Sequence, residues 1–136
     1  MLSVVDGYEI RSDSAGDGYY LAKRGSRYHR GVDYLAVPGA NAYAPLDGYI
    51  VREAYPYKND YEYKGVIFQA KSIALKIFYI DPILHLVGHK IKAGTVIGIV
   101  QDVSKKYNKL DSDIIMLPHV HVEVADMDIN LLIGRL

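Results

Sequence analysis

The segment PHVHVEV (118–124) carries the densest chemistry in the chain. On a strand, residues two apart share a face. His119 and His121 then present two imidazoles side by side, with Glu123 on their face and Val120 and Val122 turned to the core. Imidazole is the commonest metal ligand and a ready general base near neutral pH. The pair suits a metal site or an acid–base couple, although an isolated His-x-His also fits a solvated strand face. HRGVD (29–33) offers a second group, because His29 and Asp33 on one short segment can bind a borderline metal together. Alone it fits a surface histidine near a hydrogen-bonded aspartate just as readily. Together the two segments supply three ligands and one histidine to spare. Three protein ligands and an open fourth position are the usual plan of hydrolytic zinc, and a spare histidine can take up or deliver a proton.

These residues need strands to hold them. GYIVREA (48–54), GVIFQA (65–70), IALKIFYI (73–80), AGTVIGIVQ (93–101) and HVHVEVA (119–125) are short, β-branched or alternating, and bounded by turn formers. They predict a mostly β domain with a small antiparallel sheet and little helix. SKKYNKL (104–110) predicts a turn of helix and DMDINLLIG (126–134) a short terminal one. DSAGDGYYLAKRGSRYHRG (13–31) reads as an extended loop, and GHKIKAGTVIG (88–98) as a hairpin turned at its glycines.

With 136 residues the chain is expected to be a single domain, 1–136. Sixteen basic and sixteen acidic residues cancel, which argues against a strongly basic nucleic-acid binder. Cysteine is absent, so a metal site must use nitrogen and oxygen. MLSVVDGYEI lacks the charged start and apolar run of a signal peptide. No apolar stretch approaches the roughly 18 residues of a membrane helix, so no membrane insertion is expected.

RGSRYHRGVDYLAVPGANAYAPLDGYIV, GHKIKAGTVIG and PHVHVEV, in that order, resemble the three motif blocks of the M23 family of zinc metallopeptidases, the lysostaphin or LytM type. The likeness runs from about residue 16 to residue 124. It implies a small antiparallel β fold of the duplicated-hybrid-motif kind with the site in a groove. It further implies Zn2+ held by His29, Asp33 and His121, with His119 as a catalytic histidine. The implied activity is a zinc-dependent endopeptidase acting on peptidoglycan cross-links or stem peptides. Because no signal peptide is read at the N-terminus, delivery by a phage or by another export route is expected. The family normally carries a further active-site histidine before the glycine-rich block. Here ungapped counting puts Tyr79 at that place, and matching the tyrosines puts Asp81 there. His85 lies closer to Gly88 than the pattern expects, and His89 falls inside the following turn.

FYIDP (78–82) resembles the corresponding segment of the branch that includes leukocyte-derived chemotaxin, which keeps the three ligands and lacks that histidine. A phenol can donate a hydrogen bond to an oxyanion but is a poor base near neutral pH. Tyr79 is therefore the second candidate catalytic residue. The alternative function is a zinc-binding module that recognises cell wall or a protein partner without cleaving. QDVSKKYNKLDSDIIML (101–117) is expected to border the groove, and the tyrosines of YPYKNDYEY (55–63) to line another wall.

Overall fold

The computed structural model describes residues 1–130. Its strands are β1 (Ser12–Asp13), β2 (Gly16–Asp17), β3 (Lys23–Arg24), β4 (Arg27–Tyr28), β5 (Gly31–Leu35), β6 (Asn41–Tyr43), β7 (Gly48–Ala54), β8 (Gly65–Ala70), β9 (Ile73–Phe78), β10 (Ile80–Pro82), β11 (Lys90–Ile91), β12 (Val96–Val100) and β13 (His119–Met127). The short helix α1 spans Ser104–Tyr107, and a 3-10 turn spans Leu84–Leu86. Every strand pairing is antiparallel, as the alternating patterns predict. Among the described residues no helix is long and apolar enough to cross a membrane.

Six strands form the main sheet in the order β11-β7-β8-β9-β13-β5, and β10-β12-β6 form a second sheet. The core draws on both. Ile50, Val66, Phe68, Leu75, Ile77, Val120 and Val122 of the large sheet cluster with Ala42, Ile80, Ile97 and Val100 of the small one. Removing this apolar surface from water is the main force that brings the sheets together. On β13, Val120 and Val122 are buried in that core, so the period of two turns His119, His121 and Glu123 to the opposite face.

Four local expectations need correction. Residues 13–31 are not a plain loop, because β1–β2 and β3–β4 make two small hairpins there. Their two-residue ladders are too short to show periodicity in the sequence. The run 73–80 breaks at Tyr79, whose φ of 72° ends β9 and starts β10 in the other sheet. Residues 88–98 do not pair with each other. β11 joins β7, and β12 joins β6 and β10, so the glycine-rich segment crosses between sheets. Finally, Asp126 and Met127 end β13 rather than begin a helix, and residues 131–134 of that expected helix lie outside the described residues. The turn of helix expected at 104–110 is α1.

Candidate metal centre and groove

β13 lies between β9 and β5, and its register places His121 directly opposite Asp33. His29 sits just before β5 and reaches the same point. The donor atoms converge closely. His121 Nδ1 lies 2.8 Å from Asp33 Oδ1, His29 Nε2 lies 3.2 Å from the same oxygen, and His29 Nε2 lies 3.2 Å from His121 Nδ1. A tetrahedral zinc with bonds of about 2.0–2.1 Å has ligand–ligand edges of about 3.3 Å. The three donors therefore already stand near the corners of one face of such a site, and His29, Asp33 and His121 form a group able to hold a metal.

The outward nitrogens fix how each ring presents itself. His29 Nδ1 faces the Tyr19 carbonyl oxygen at 3.0 Å, which can only accept, so Nδ1 carries the proton and Nε2 offers its lone pair to the cluster. His121 Nε2 donates to Glu123 Oε1 at 3.0 Å, leaving Nδ1 as the inward donor atom. A carboxylate behind a ligating imidazole fixes its orientation and raises its basicity. The sequence placed Glu123 on this face without giving it that task.

Asp33 divides its two oxygens. Oδ1 faces His29 and His121, while Oδ2 accepts from Arg11 Nε and Nη2, both at 3.2 Å. Arg11 is itself buried and also donates from Nη1 to Asp13 Oδ1 at 2.7 Å. Burial pushes the Asp33 carboxyl up, but the hydrogen bond from His121 and the charges of His119, His121 and His29 outweigh it, holding the group down at about 2. Asp33 is thus an anion throughout the neutral range. Burial pulls the His121 imidazolium down, yet its bonds to Asp33 and Glu123 outweigh this and raise it above its ordinary value.

His119 stands beside the cluster and differs in kind. Its Nδ1 donates to the Leu117 carbonyl at 2.8 Å, so Nε2 keeps a free lone pair, 3.6 Å from Asp33 Oδ2. Burial holds this imidazole below its ordinary value despite the nearby Asp33 charge, which favours the neutral ring near pH 7.

Of the candidates for the remaining position, Tyr79 is the one beside His119. Their rings meet edge to face with centroids 5.2 Å apart. The left-handed backbone of Tyr79 turns it off the sheet, and such a conformation costs a non-glycine residue about 1–3 kcal/mol. Hydrogen bonds from Tyr79 N to Lys64 O at 2.8 Å and from Gln101 N to Tyr79 O at 2.9 Å hold it. Its hydroxyl shares a 2.9 Å hydrogen bond with Tyr57, which pairs in turn with Tyr107. Burial raises the Tyr79 phenol, so it stays protonated and able to donate. Asp81 is exposed on β10 and near Lys64, His85 is exposed on the 3-10 turn, and His89 is exposed after it. None of the three lines the groove that contains the cluster.

That groove has a volume of about 850 Å³. Tyr107, Ile114 and Met116 of the 101–117 segment line it, as do Tyr55 and Pro56. The two segments meet each other through Tyr57–Tyr107 and Lys106–Asp60 rather than forming separate walls. Sequence reasoning missed Arg11, which nothing near it in the chain marks as special.

Comparison with known proteins agrees with this arrangement. The family model described as Peptidase family M23 matches residues 27–131. The chain is 39% identical to mouse (Mus musculus) leukocyte cell-derived chemotaxin-2 over 120 residues, covering 87% of this chain and 74% of that protein. It is 36% identical to the cattle (Bos taurus) protein of the same name over 121 residues, covering 88% and 75%. It is also 29% identical to chicken (Gallus gallus) myeloid protein 1 over 123 residues, covering 87% of this chain and 35% of that one. With a family model spanning most of its length and the family's residue types converging at one end of β13, the chain belongs to peptidase family M23.

Proposed function

We propose that the protein is a zinc-dependent metalloendopeptidase that cleaves peptide bonds, with peptidoglycan cross-links or stem peptides as its substrates. The observation that carries this reading is the convergence of His29, Asp33 and His121 beside a neutral His119 in an open groove. Zinc on those three donors would polarise a carbonyl and lower the pKa of a water at the open position. His119 Nε2 then takes the proton of the attacking water and returns it to the leaving amine. Tyr79 donates its hydroxyl hydrogen to the oxyanion that develops on the substrate. The Glu123 and Arg11 contacts hold His121 and Asp33 in place while this happens.

A second reading rests on a specific observation. Tyr79 is the candidate for the family's further histidine that lies beside His119, and a protonated phenol cannot replace a base. Two of the relatives reported above carry the name leukocyte cell-derived chemotaxin-2 rather than that of a peptidase. On this reading the groove holds zinc and binds a peptide or a protein partner without cleaving it.

One set of measurements separates the readings. Purified protein should bind about one zinc, and His121→Ala should lose it; a protein that binds no zinc would sink both. The zinc-loaded protein is then incubated with peptidoglycan and glycine-containing peptides. Cleavage that falls on the order of 10²–10⁴-fold in His119→Ala, with zinc retained, supports the peptidase. No cleavage across the set supports the binding module.

A further inference from the structure

The balanced net charge hides an uneven distribution. The groove beside the metal ligands is lined by Arg24, Arg27, Arg30 and Lys76, against the carboxylates of Asp33 and Glu123 alone. Both carboxylates are already engaged. Asp33 is bound by Arg11 and the histidines, and Glu123 accepts from His121 and lies 3.6 Å from Lys76. Arg27 and Arg30 are exposed, and among the described residues neither has a carboxylate partner. A metal ion on His29, Asp33 and His121 would add further positive charge.

The β3–β4 hairpin adds a second observation. Its register sets Arg24 directly opposite Arg27. Like charges facing each other across an antiparallel pair are destabilising. Arg24 is tied back by the Asp17 carbonyl and lies 3.9 Å from Asp33, whereas Arg27 is left facing solvent. A second cavity, running past β5 and β13, shares Arg27, Tyr28, Arg30, Lys76 and the already engaged Glu123 with the groove. These cations therefore stand at the junction of the two hollows, along the path of an extended ligand.

We propose that this junction is a subsite for an acidic peptide, whose carboxylates seat on Arg27, Arg30 and Lys76 next to the metal cluster. The guanidinium fork matches a carboxylate in two parallel hydrogen bonds. A cleft lined by one sign of charge focuses its field and raises the local concentration of an opposite-charged ligand. An anion here also relieves the Arg24–Arg27 repulsion. The proposal names the substrate class for the reading above and rests on it only for calling the ligand a substrate.

The test is a binding measurement on the full, zinc-loaded chain. Two fluorescent glycine-containing peptides are compared that differ only in carrying two glutamates or two glutamines. The glutamate peptide should bind about tenfold tighter at low salt, a difference of about 1.4 kcal/mol. The preference should shrink as ionic strength rises, since the sites are solvent-exposed. Arg27→Gln/Arg30→Gln should abolish the preference, and Arg27→Lys/Arg30→Lys, which keeps both charges, should retain much of it. Equal affinities in the parent protein, or a preference that survives the glutamine substitutions, would overturn the proposal. Cleavage is not read, so a failure of turnover bears on the peptidase reading and not on this one.

Discussion

Arg11 decides how much of the ligand geometry is built before any metal arrives. Its guanidinium is nearly inaccessible to solvent and holds Asp33 Oδ2 through two nitrogens and Asp13 through a third. That leaves Asp33 Oδ1 for the histidines. Removing one partner of a buried ion pair leaves the other charge uncompensated and typically costs about 3–5 kcal/mol. Arg11→Met should therefore lower the unfolding free energy of the metal-free protein by about that amount in urea titrations. A loss under about 1 kcal/mol would show that water compensates Asp33 instead. At this scale the sequence was readable where residue type announces chemistry, as at His29, Asp33, His119 and His121. Arg11 was not readable, because it lies 22 residues from Asp33 and arginine is ordinarily a surface residue.

The strands position the site through close backbone approach, and two glycines make this possible. A Cβ at Gly31 would stand 2.4 Å from the Val122 carbonyl oxygen and 2.7 Å from His121 Cε1. A Cβ at Gly18 would stand 2.7 Å from Asp33 Cβ, where the N-terminal segment crosses β5 and receives the Asp33 amide on the Gly18 carbonyl. Gly31→Ala should thus push β5 from β13 and weaken zinc binding tenfold or more by competition titration, through His121 rather than by deleting a ligand. Unchanged affinity would mean that the His121 ring moves aside without losing its aim. Most long strands were legible because GYIVREA and HVHVEVA alternate and GVIFQA is β-branched and aromatic. Partner choice was less so. The glycines of 88–98 signal reversals of direction, and only the packing of two sheets decides that β11 and β12 part company. The break at Tyr79 also left no trace, since a tyrosine gives no warning of a left-handed backbone.

For the whole molecule the buried charges couple folding to pH. Asp33 is held down at about 2, and bonds from the Leu117 amide and Arg11 outweigh burial to lower Asp13 as well. A carboxyl depressed in the folded state contributes stability above its unfolded pKa of about 4, and that contribution is lost as pH falls through the folded value. From these two carboxyls the metal-free protein should lose melting temperature progressively between about pH 4 and about pH 2. Melting curves recorded across that window that stay flat would sink the coupling. The charge pattern also qualifies the net charge of zero read from composition, because Arg11, Arg24, Arg27, Arg30 and Lys76 gather around one groove.

The direct pairing of His121 with Asp33 has one more consequence. Side chains alternate along a strand, so sliding β13 by a single residue against β5 would turn both imidazoles into the core and bring Val120 and Val122 out. Only the correctly aligned chain can gather all three donors. A bound ion would then act as a proofreader of strand alignment, rewarding one register among its near neighbours and leaving the misaligned forms without reward.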